Sequence, residues 1–310
     1  MIRREFLARA AAGAIGGTAG VALGAPRARG APGEPPAPGA FKLAYAPHFG
    51  MFRHHAADDL DQVRFAADQG FAAWEDNGMK GRGREFQERF ASLAARLNVR
   101  MGIFVAQSID WERPTLTTGD PGIVERFVKE TAESCEVASR VNATCVTCVV
   151  GRVAQNLPWG HQFNNVVEAL RRASAVCEQS GSGMILCIEP LNWRDHPGQF
   201  GATSDTLRAL CKAVDSPHCR ILQDLYHLQV TEGNLIDNMN RSWDQISYFQ
   251  LGDNPGRMEP GTGEVNYRNV LRHIHSRGYG GILGMEHGKS RDGKEGELAL
   301  IRAYREADSF

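Results

Sequence analysis

From residue 41 to the C-terminus, short apolar runs alternate with stretches whose apolar positions recur every three or four residues. The runs cover 41–46, 71–74, 99–106, 143–150, 184–189, 220–224, 246–251 and 281–286. Most are apolar on successive rather than alternate residues, the pattern of strands covered on both faces. The amphipathic stretches between them predict helices over 58–69, 85–97, 121–140, 162–179, 204–214, 233–240, 267–277 and 294–307. Local signals mark several ends. Gly70 stops the first helix, Pro121 opens the third where a missing N–H is harmless, and Thr203 or Ser204 caps the fifth. Strict alternation predicts a parallel sheet. Eight units over about 270 residues predict one closed α/β barrel, the (β/α)8 TIM barrel. A doubly wound sheet would call for Gly-x-Gly-x-x-Gly after the first strand, where none stands.

Four of the runs end abruptly on a polar residue. They are Met184-Ile185-Leu186-Cys187-Ile188-Glu189, Ile221-Leu222-Gln223-Asp224, Tyr248-Phe249-Gln250 and Gly281-Ile282-Leu283-Gly284-Met285-Glu286. Any one alone is an ordinary polar residue where a strand meets water; the repetition carries the reading. At the C-terminal mouth of a barrel, four parallel strands would gather Glu189, Asp224, Gln250 and Glu286 around a point. Such oxygen donors suit a hard or borderline divalent cation, Mg2+ or Mn2+. A cation so held keeps positions open for the adjacent oxygens of a hydroxy ketone or aldehyde, polarises the carbonyl and stabilises an enediolate. Glu189 and Glu286, on opposite walls, could then serve as base and acid. Hydride and phosphoryl transfer need cofactor loops that the sequence lacks.

Two further residues fall near these ends. In Asp224-Leu225-Tyr226-His227, His227 lies one turn past the aspartate in what reads as a polar loop, placed to hydrogen-bond a substrate oxygen. The stretch 253–264 is too polar and too rich in Gly and Pro for a core and reads as a solvated turn. Arg257 is its exception, able to lean inward and pair with a substrate carboxylate in two-pronged fashion.

Composition adds little to the chemistry and more to the setting. The chain has 310 residues, 42% of them hydrophobic, and a formal net charge of −1. That supports one large core and gives no electrostatic case for nucleic acid or an anionic membrane surface as partner. The partner expected is a small hydroxy-carbonyl compound or sugar. Arg3-Arg4-Glu5-Phe6-Leu7 resembles a twin-arginine export motif. The Ala/Gly-rich stretch after it carries Arg9 and is too weakly apolar to span a bilayer. Small residues at Gly24-Ala25 suit a signal peptidase, and the Pro/Gly/Ala-rich stretch to residue 39 reads as a tether. Residues 1–39 are thus predicted to be an export signal and tether, and 40–310 a single barrel delivered to the periplasm or secreted. The seven cysteines form no disulfide framework. Cys145-x-x-Cys148 lies in a predicted strand that points the two thiols to opposite faces, and no second pair completes a zinc site.

Several motifs together resemble those of the hydroxypyruvate isomerase family, a branch of the xylose-isomerase-like TIM barrel superfamily. They are Ile188-Glu189-Pro190-Leu191-Asn192, Gln223-Asp224-x-Tyr226-His227-x-Gln229 with Glu232-Gly233-Asn234, and Gly278-Tyr279 leading to Glu286. To these is added the run from Gln250 through Asn254-Pro255-Gly256-Arg257-x-Glu259-Pro260-Gly261-x-Gly263-Glu264-Val265-Asn266-Tyr267. The resemblance implies metal ligation by Glu189, Asp224, Gln250 and Glu286, acid–base roles for the two glutamates, and substrate contacts from His227 and Arg257. It implies interconversion of hydroxypyruvate and tartronate semialdehyde. Ketose 3-epimerases of the superfamily usually carry His where Gln250 stands, so a 3-epimerase or a sugar isomerase with a longer substrate is the alternative. An exported barrel that binds a sugar without turning it over is a third.

Overall fold

The computed structural model describes residues 41–310, so the predicted export signal and tether lie outside the described residues. Eight short strands alternate with helices in chain order: β1 (Ala44–Ala46), α1 (Asp59–Asp68), β2 (Ala73–Trp74), α2 (Arg84–Leu97), β3 (Arg100–Met101), α3 (Pro121–Val141), β4 (Cys145–Cys148) and α4 (Trp159–Gln179). The second half adds β5 (Ile185–Ile188), α5 (Ser204–Val214), β6 (Cys219–Asp224), α6 (Leu225–Thr231), α7 (Leu235–Ser242), β7 (Ile246–Gln250), α8 (Tyr267–Ser276), β8 (Ile282–Gly284) and α9 (Gly293–Ala307). β4 to β8 pair in sequence order, β8 pairs β1, and β2 pairs β3, all parallel. Single parallel bridges, His48 to Glu75 and Val105 to Thr147, complete the ring. The fold is the predicted TIM barrel.

One buried residue from each strand or its immediate extension plugs the interior: Ala46, Ala73, Ile103, Cys145, Cys187, Leu222, Tyr248 and Ile282. Side chains alternate along a strand, so the intervening apolar residues face the helices, which is why the strands read as continuous apolar runs. Cys145 belongs to the plug and Cys148 to the layer beneath the helices, as expected for residues three apart on a strand. All seven cysteines are buried and free.

The structure departs from the predicted elements in two informative places. The expected strands 71–74 and 99–106 shrink to two residues each. Past Met101 single backbone bonds still reach both neighbours, Gly102 N–H to the Trp74 carbonyl (2.7 Å) and Thr147 N–H to the Phe104 carbonyl (2.9 Å), but the Ile103 N–H is given to the Tyr248 hydroxyl at 3.3 Å in the barrel interior. The second departure is α6, helical where a polar loop was expected. Asp224 ends β6 and at once caps this helix, its Oδ1 accepting from the His227 N–H at 2.9 Å. His227 is therefore a buried helix residue, not a loop residue.

Candidate active site at the barrel mouth

Two residues beyond most of the plug residues the same inward face continues, now polar. Glu75 follows Ala73, Thr147 follows Cys145, Glu189 follows Cys187, Asp224 follows Leu222 and Gln250 follows Tyr248; Glu286 lies two past Gly284. Register puts Asp224 beside Gln250, and Gln250 beside Gly284. The four residues singled out in the sequence thus come from adjacent strands at one mouth. Thr147 Oγ1 donates to Glu189 Oε2 at 3.2 Å, and Asn77 Nδ2 to Glu286 Oε1 at 2.7 Å.

Arg257 lies among these carboxylates. Its Nη2 donates to Glu286 Oε2 at 2.7 Å and to Asp224 Oδ2 at 3.1 Å, and its Nε to the Glu286 carbonyl at 3.0 Å. The guanidinium also covers the Tyr226 ring, 4.9 Å from its centroid. The sequence pointed to Arg257 as the partner of a substrate carboxylate; the structure pairs it with two carboxylates of the chain. Its backbone is left-handed, φ 52°, a conformation that non-glycine residues hold only where surroundings enforce it. Those surroundings are the loop 253–265, whose residues 255–256 and 261–264 are exposed as expected of a turn but which is tied down from within by a buried carboxylate. Asp253 is wholly buried and accepts four backbone N–H groups: Asn254 (2.9 Å) and Val265 (3.1 Å) on Oδ1, Gly261 (2.8 Å) and Gly263 (2.9 Å) on Oδ2. A polar, Gly-rich loop can hold one shape at the surface because one buried carboxylate satisfies its amides.

His227 presents one nitrogen to the site. Its Nδ1 accepts from the Asn192 backbone N–H at 3.2 Å and from Asn192 Nδ2 at 2.7 Å. The Asn192 Oδ1 is occupied by the N–H groups of Arg194 (3.0 Å) and Asp195 (2.8 Å), which settles the amide's orientation. Nε2 must then carry the ring proton, and it faces Glu189 Oε1 at 3.8 Å and Asp224 Oδ2 at 3.9 Å. Burial, with Arg257 nearby, lowers the His227 pKa to about 3, so the ring is neutral. Glu189, Asp224 and His227 are close enough to form a cation site, their candidate ligand atoms within 4.8 Å of one another. The tautomer makes His227 a donor there rather than a ligand.

Burial raises the pKa of Glu189, as do the charges of Glu286 and Asp224. Burial likewise raises Asp224, against the pull of Arg257. One guanidinium thus faces three clustered carboxylates, leaving excess negative charge in a desolvated place. Beside them the Oε1 of Gln250 is buried without any hydrogen-bond partner. Unpaired buried acceptors are rare. An orphaned carboxamide oxygen among under-compensated carboxylates is the donor chemistry of a hard divalent cation, and the residues present fit one.

Glu75 was missed in the sequence. It is 2% exposed, and burial, with Glu286 adding to it, raises its pKa to about 8. It follows the same design as the other four, an apolar strand ending in a carboxylate, but its strand is two residues long and Asp76 follows it directly.

Fold and site together define a barrel enzyme with a carboxylate-rich mouth. The sequence pattern of the xylose isomerase-like TIM barrel family matches residues 63–306. The chain is 34% identical over 188 residues to hydroxypyruvate isomerase of Escherichia coli (strain K12), covering 60% of this chain and 70% of that protein. It is 28% identical over 260 residues to 2-oxo-tetronate isomerase of Cupriavidus necator, covering 82% of this chain and 95% of that one. Among solved structures, an AP endonuclease, family 2, from Brucella melitensis superposes with a TM-score of 0.73 at 24% identity, over 84% of this chain and 99% of the other, a likeness of fold. The chain belongs to the xylose isomerase-like TIM barrel family, in its hydroxypyruvate isomerase branch, and is an enzyme of the isomerase type.

Proposed function

We propose that this enzyme is a metal-dependent isomerase that moves a proton between adjacent carbons of a small hydroxy-carbonyl acid, with hydroxypyruvate as substrate and tartronate semialdehyde as product. The observation that carries this reading is the cluster itself: three carboxylates from β5, β6 and the end of β8, one guanidinium, and the unpartnered Gln250 oxygen. Glu189, Asp224, Gln250 and Glu286 would hold the ion. A divalent cation bound there supplies Lewis-acid polarisation of the carbonyl and stabilises negative charge on the two adjacent oxygens.

The chain's own groups do the rest. One of Glu189 and Glu286 takes the proton from C3 of hydroxypyruvate and the other delivers a proton to C2, while the hydroxyl proton passes from O3 to O2. Burial suits Glu189 to this exchange, since a raised pKa brings a carboxyl nearer neutrality. His227 Nε2–H donates to a substrate oxygen and, being neutral, does not compete for the cation. Arg257 holds Asp224 and Glu286 in place and adds positive charge on the side where a substrate carboxylate would lie. We propose in addition that Arg3-Arg4-x-Phe-Leu directs export. Periplasmic delivery of an Arg3→Lys/Arg4→Lys variant unchanged from wild type would count against it.

The test of function is turnover with Mn2+ or Mg2+ in D2O. Hydroxypyruvate should give tartronate semialdehyde and acquire deuterium at C3 in recovered substrate. 2-Oxo-tetronate and free ketoses serve as competitors. Neither turnover nor exchange on any of them would leave a binding barrel, and faster reaction of ketoses would move the assignment to a sugar isomerase or epimerase.

A further inference from the structure

Glu75 stands outside the proposed ligands, yet the interior is shaped to house it. Its Oε2 accepts from the Tyr248 hydroxyl at 2.7 Å and its Oε1 from Gln250 Nε2 at 2.8 Å. The phenol oxygen accepts the Ile103 N–H, so its own hydrogen is committed to Glu75. Two glycines make the room. A Cβ at Gly284 would sit 1.8 Å from Glu75 Oε2, and one at Gly102 would sit 2.4 Å from the Tyr248 hydroxyl. The chain of donors therefore runs one way, from the backbone just past β3 through Tyr248 to Glu75, with Gln250 donating from the other side.

We propose that Glu75 is the positioning residue of the cation site, fixing which end of the Gln250 carboxamide faces the ion. This rests on the reading of Gln250 as a ligand. The two ends of a carboxamide have nearly the same shape, so packing alone does not choose between them. Both neighbours donate to Glu75, the pattern of a carboxylate, which only accepts, and a divalent cation at the site would hold it ionised against its burial. Turning Gln250 over would set oxygen against oxygen at Glu75 and present an NH2 group, which cannot ligate, to the cation. With Glu75 as acceptor, Nε2 is held on Glu75 and Oε1 is left without a protein partner, which is the arrangement observed. A carboxylate behind a metal-binding imidazole works by the same logic.

The decisive variant is Glu75→Gln. An amide at this position has one satisfied arrangement: its oxygen accepts from Tyr248 and its NH2 donates to Gln250. That forces Gln250 over and turns its NH2 toward the site. Mn2+ affinity, followed by the electron paramagnetic resonance signal of free Mn2+, should weaken on the order of 10–100-fold. The reciprocal variant Glu75→Gln/Gln250→Glu keeps the hydrogen bond with its polarity reversed and restores an outward oxygen, so its affinity should return to within about tenfold of wild type. A purely structural role for Glu75 would give no such rescue. Wild-type affinity in folded Glu75→Gln, or a folded reciprocal variant that binds no Mn2+, overturns the proposal while leaving the metal reading intact. Wild-type protein that binds no Mn2+ overturns both. A crystal structure of the wild-type protein with Mn2+ decides without any variant. Gln250 Oε1 on the ion with Nε2 on Glu75 supports the proposal, and an ion bound by Glu75 itself or untouched by Gln250 refutes it.

Discussion

Glu297 gives a quantitative test of how the barrel closes on itself. It lies on α9, its side chain wholly buried, and it grips the segment after β1. Its oxygens accept from the His54 and His55 backbone N–H groups (2.9 and 3.1 Å), from their ring Nδ1 atoms (2.9 and 2.6 Å) and from Lys289 Nζ (3.2 Å). Burial alone would raise its pKa. The hydrogen bonds from the His54 backbone, the two rings and Lys289 outweigh that and hold it at about 2, below the ordinary 4.5. A depressed folded-state pKa means that the unfolded chain binds the proton more tightly. The stabilisation is therefore complete above pH 4.5 and is lost as pH falls through about 2. At about 1.4 kcal/mol per pH unit, the gap amounts to roughly 3 kcal/mol. Glu297→Gln keeps the shape but removes the charge and offers an NH2 to a ring of donors. In urea unfolding at pH 7 the variant should lose on the order of 3 kcal/mol, and the difference from wild type should narrow as pH drops below 4. A difference under about 1 kcal/mol at pH 7, or one that stays constant down to pH 3, refutes the reasoning.

Other perturbations separate the roles at the mouth. Glu189→Gln and Glu286→Gln keep a ligand oxygen but cannot exchange a proton at neutral pH; each should retain Mn2+ in metal analysis yet lose on the order of 10²–10⁴ in turnover. Asp253→Ala leaves four N–H groups without their acceptor, those of Asn254 and Val265 buried, and should cost about 2–4 kcal/mol, with limited proteolysis cutting first in 253–265. Because that loop sets the backbone of Arg257, turnover should fall as well, although Asp253 touches no proposed ligand. Arg257→Lys replaces a bridge between Asp224 and Glu286 by a single ammonium; kcat on hydroxypyruvate should drop more steeply than on an uncharged ketose, and equal losses would remove the case for a carboxylate substrate.

The barrel and its mouth were legible because two periodicities coincide there. Runs apolar on both faces marked the strands, and a polar residue in step with the inward positions marked each strand end, as at Cys187 and Glu189 or Leu222 and Asp224. Glu75 obeys the same rule at the end of the run 71–74 but was hidden, since Asp76 follows it directly and blurs the strand end. The Ile103 N–H, just past β3, is spent on a side chain, Tyr248, which no local pattern reveals. α6 escaped notice for a related reason. Asp224 is both the last strand residue and the cap of the next helix, so no connecting residues separate the two. Loop 253–265 read as a solvated turn, and 255–256 and 261–264 are exposed; what composition does not register is the single buried carboxylate that gathers four of its amides. Side-chain-to-backbone bonding, near in sequence at Asp224 and Asp253 and distant at Tyr248, is what the pattern could not carry.

The distribution of the cysteines has a practical consequence. All seven lie between residues 135 and 219, on α3, β4, α4, β5, α5 and β6, and every one is buried. The folded barrel therefore offers no thiol to an aqueous alkylating reagent, while the unfolded chain offers seven from one contiguous sector. Labelling kinetics on the unmodified protein thus report the opening of that sector alone. Mass shifts in multiples of one label would show whether the helix–strand pairs α3–β4, α4–β5 and α5–β6 part together or one at a time. The other strands, which carry no thiol, remain silent, so the enzyme has a built-in chemical clock for the opening of three of its eight strands.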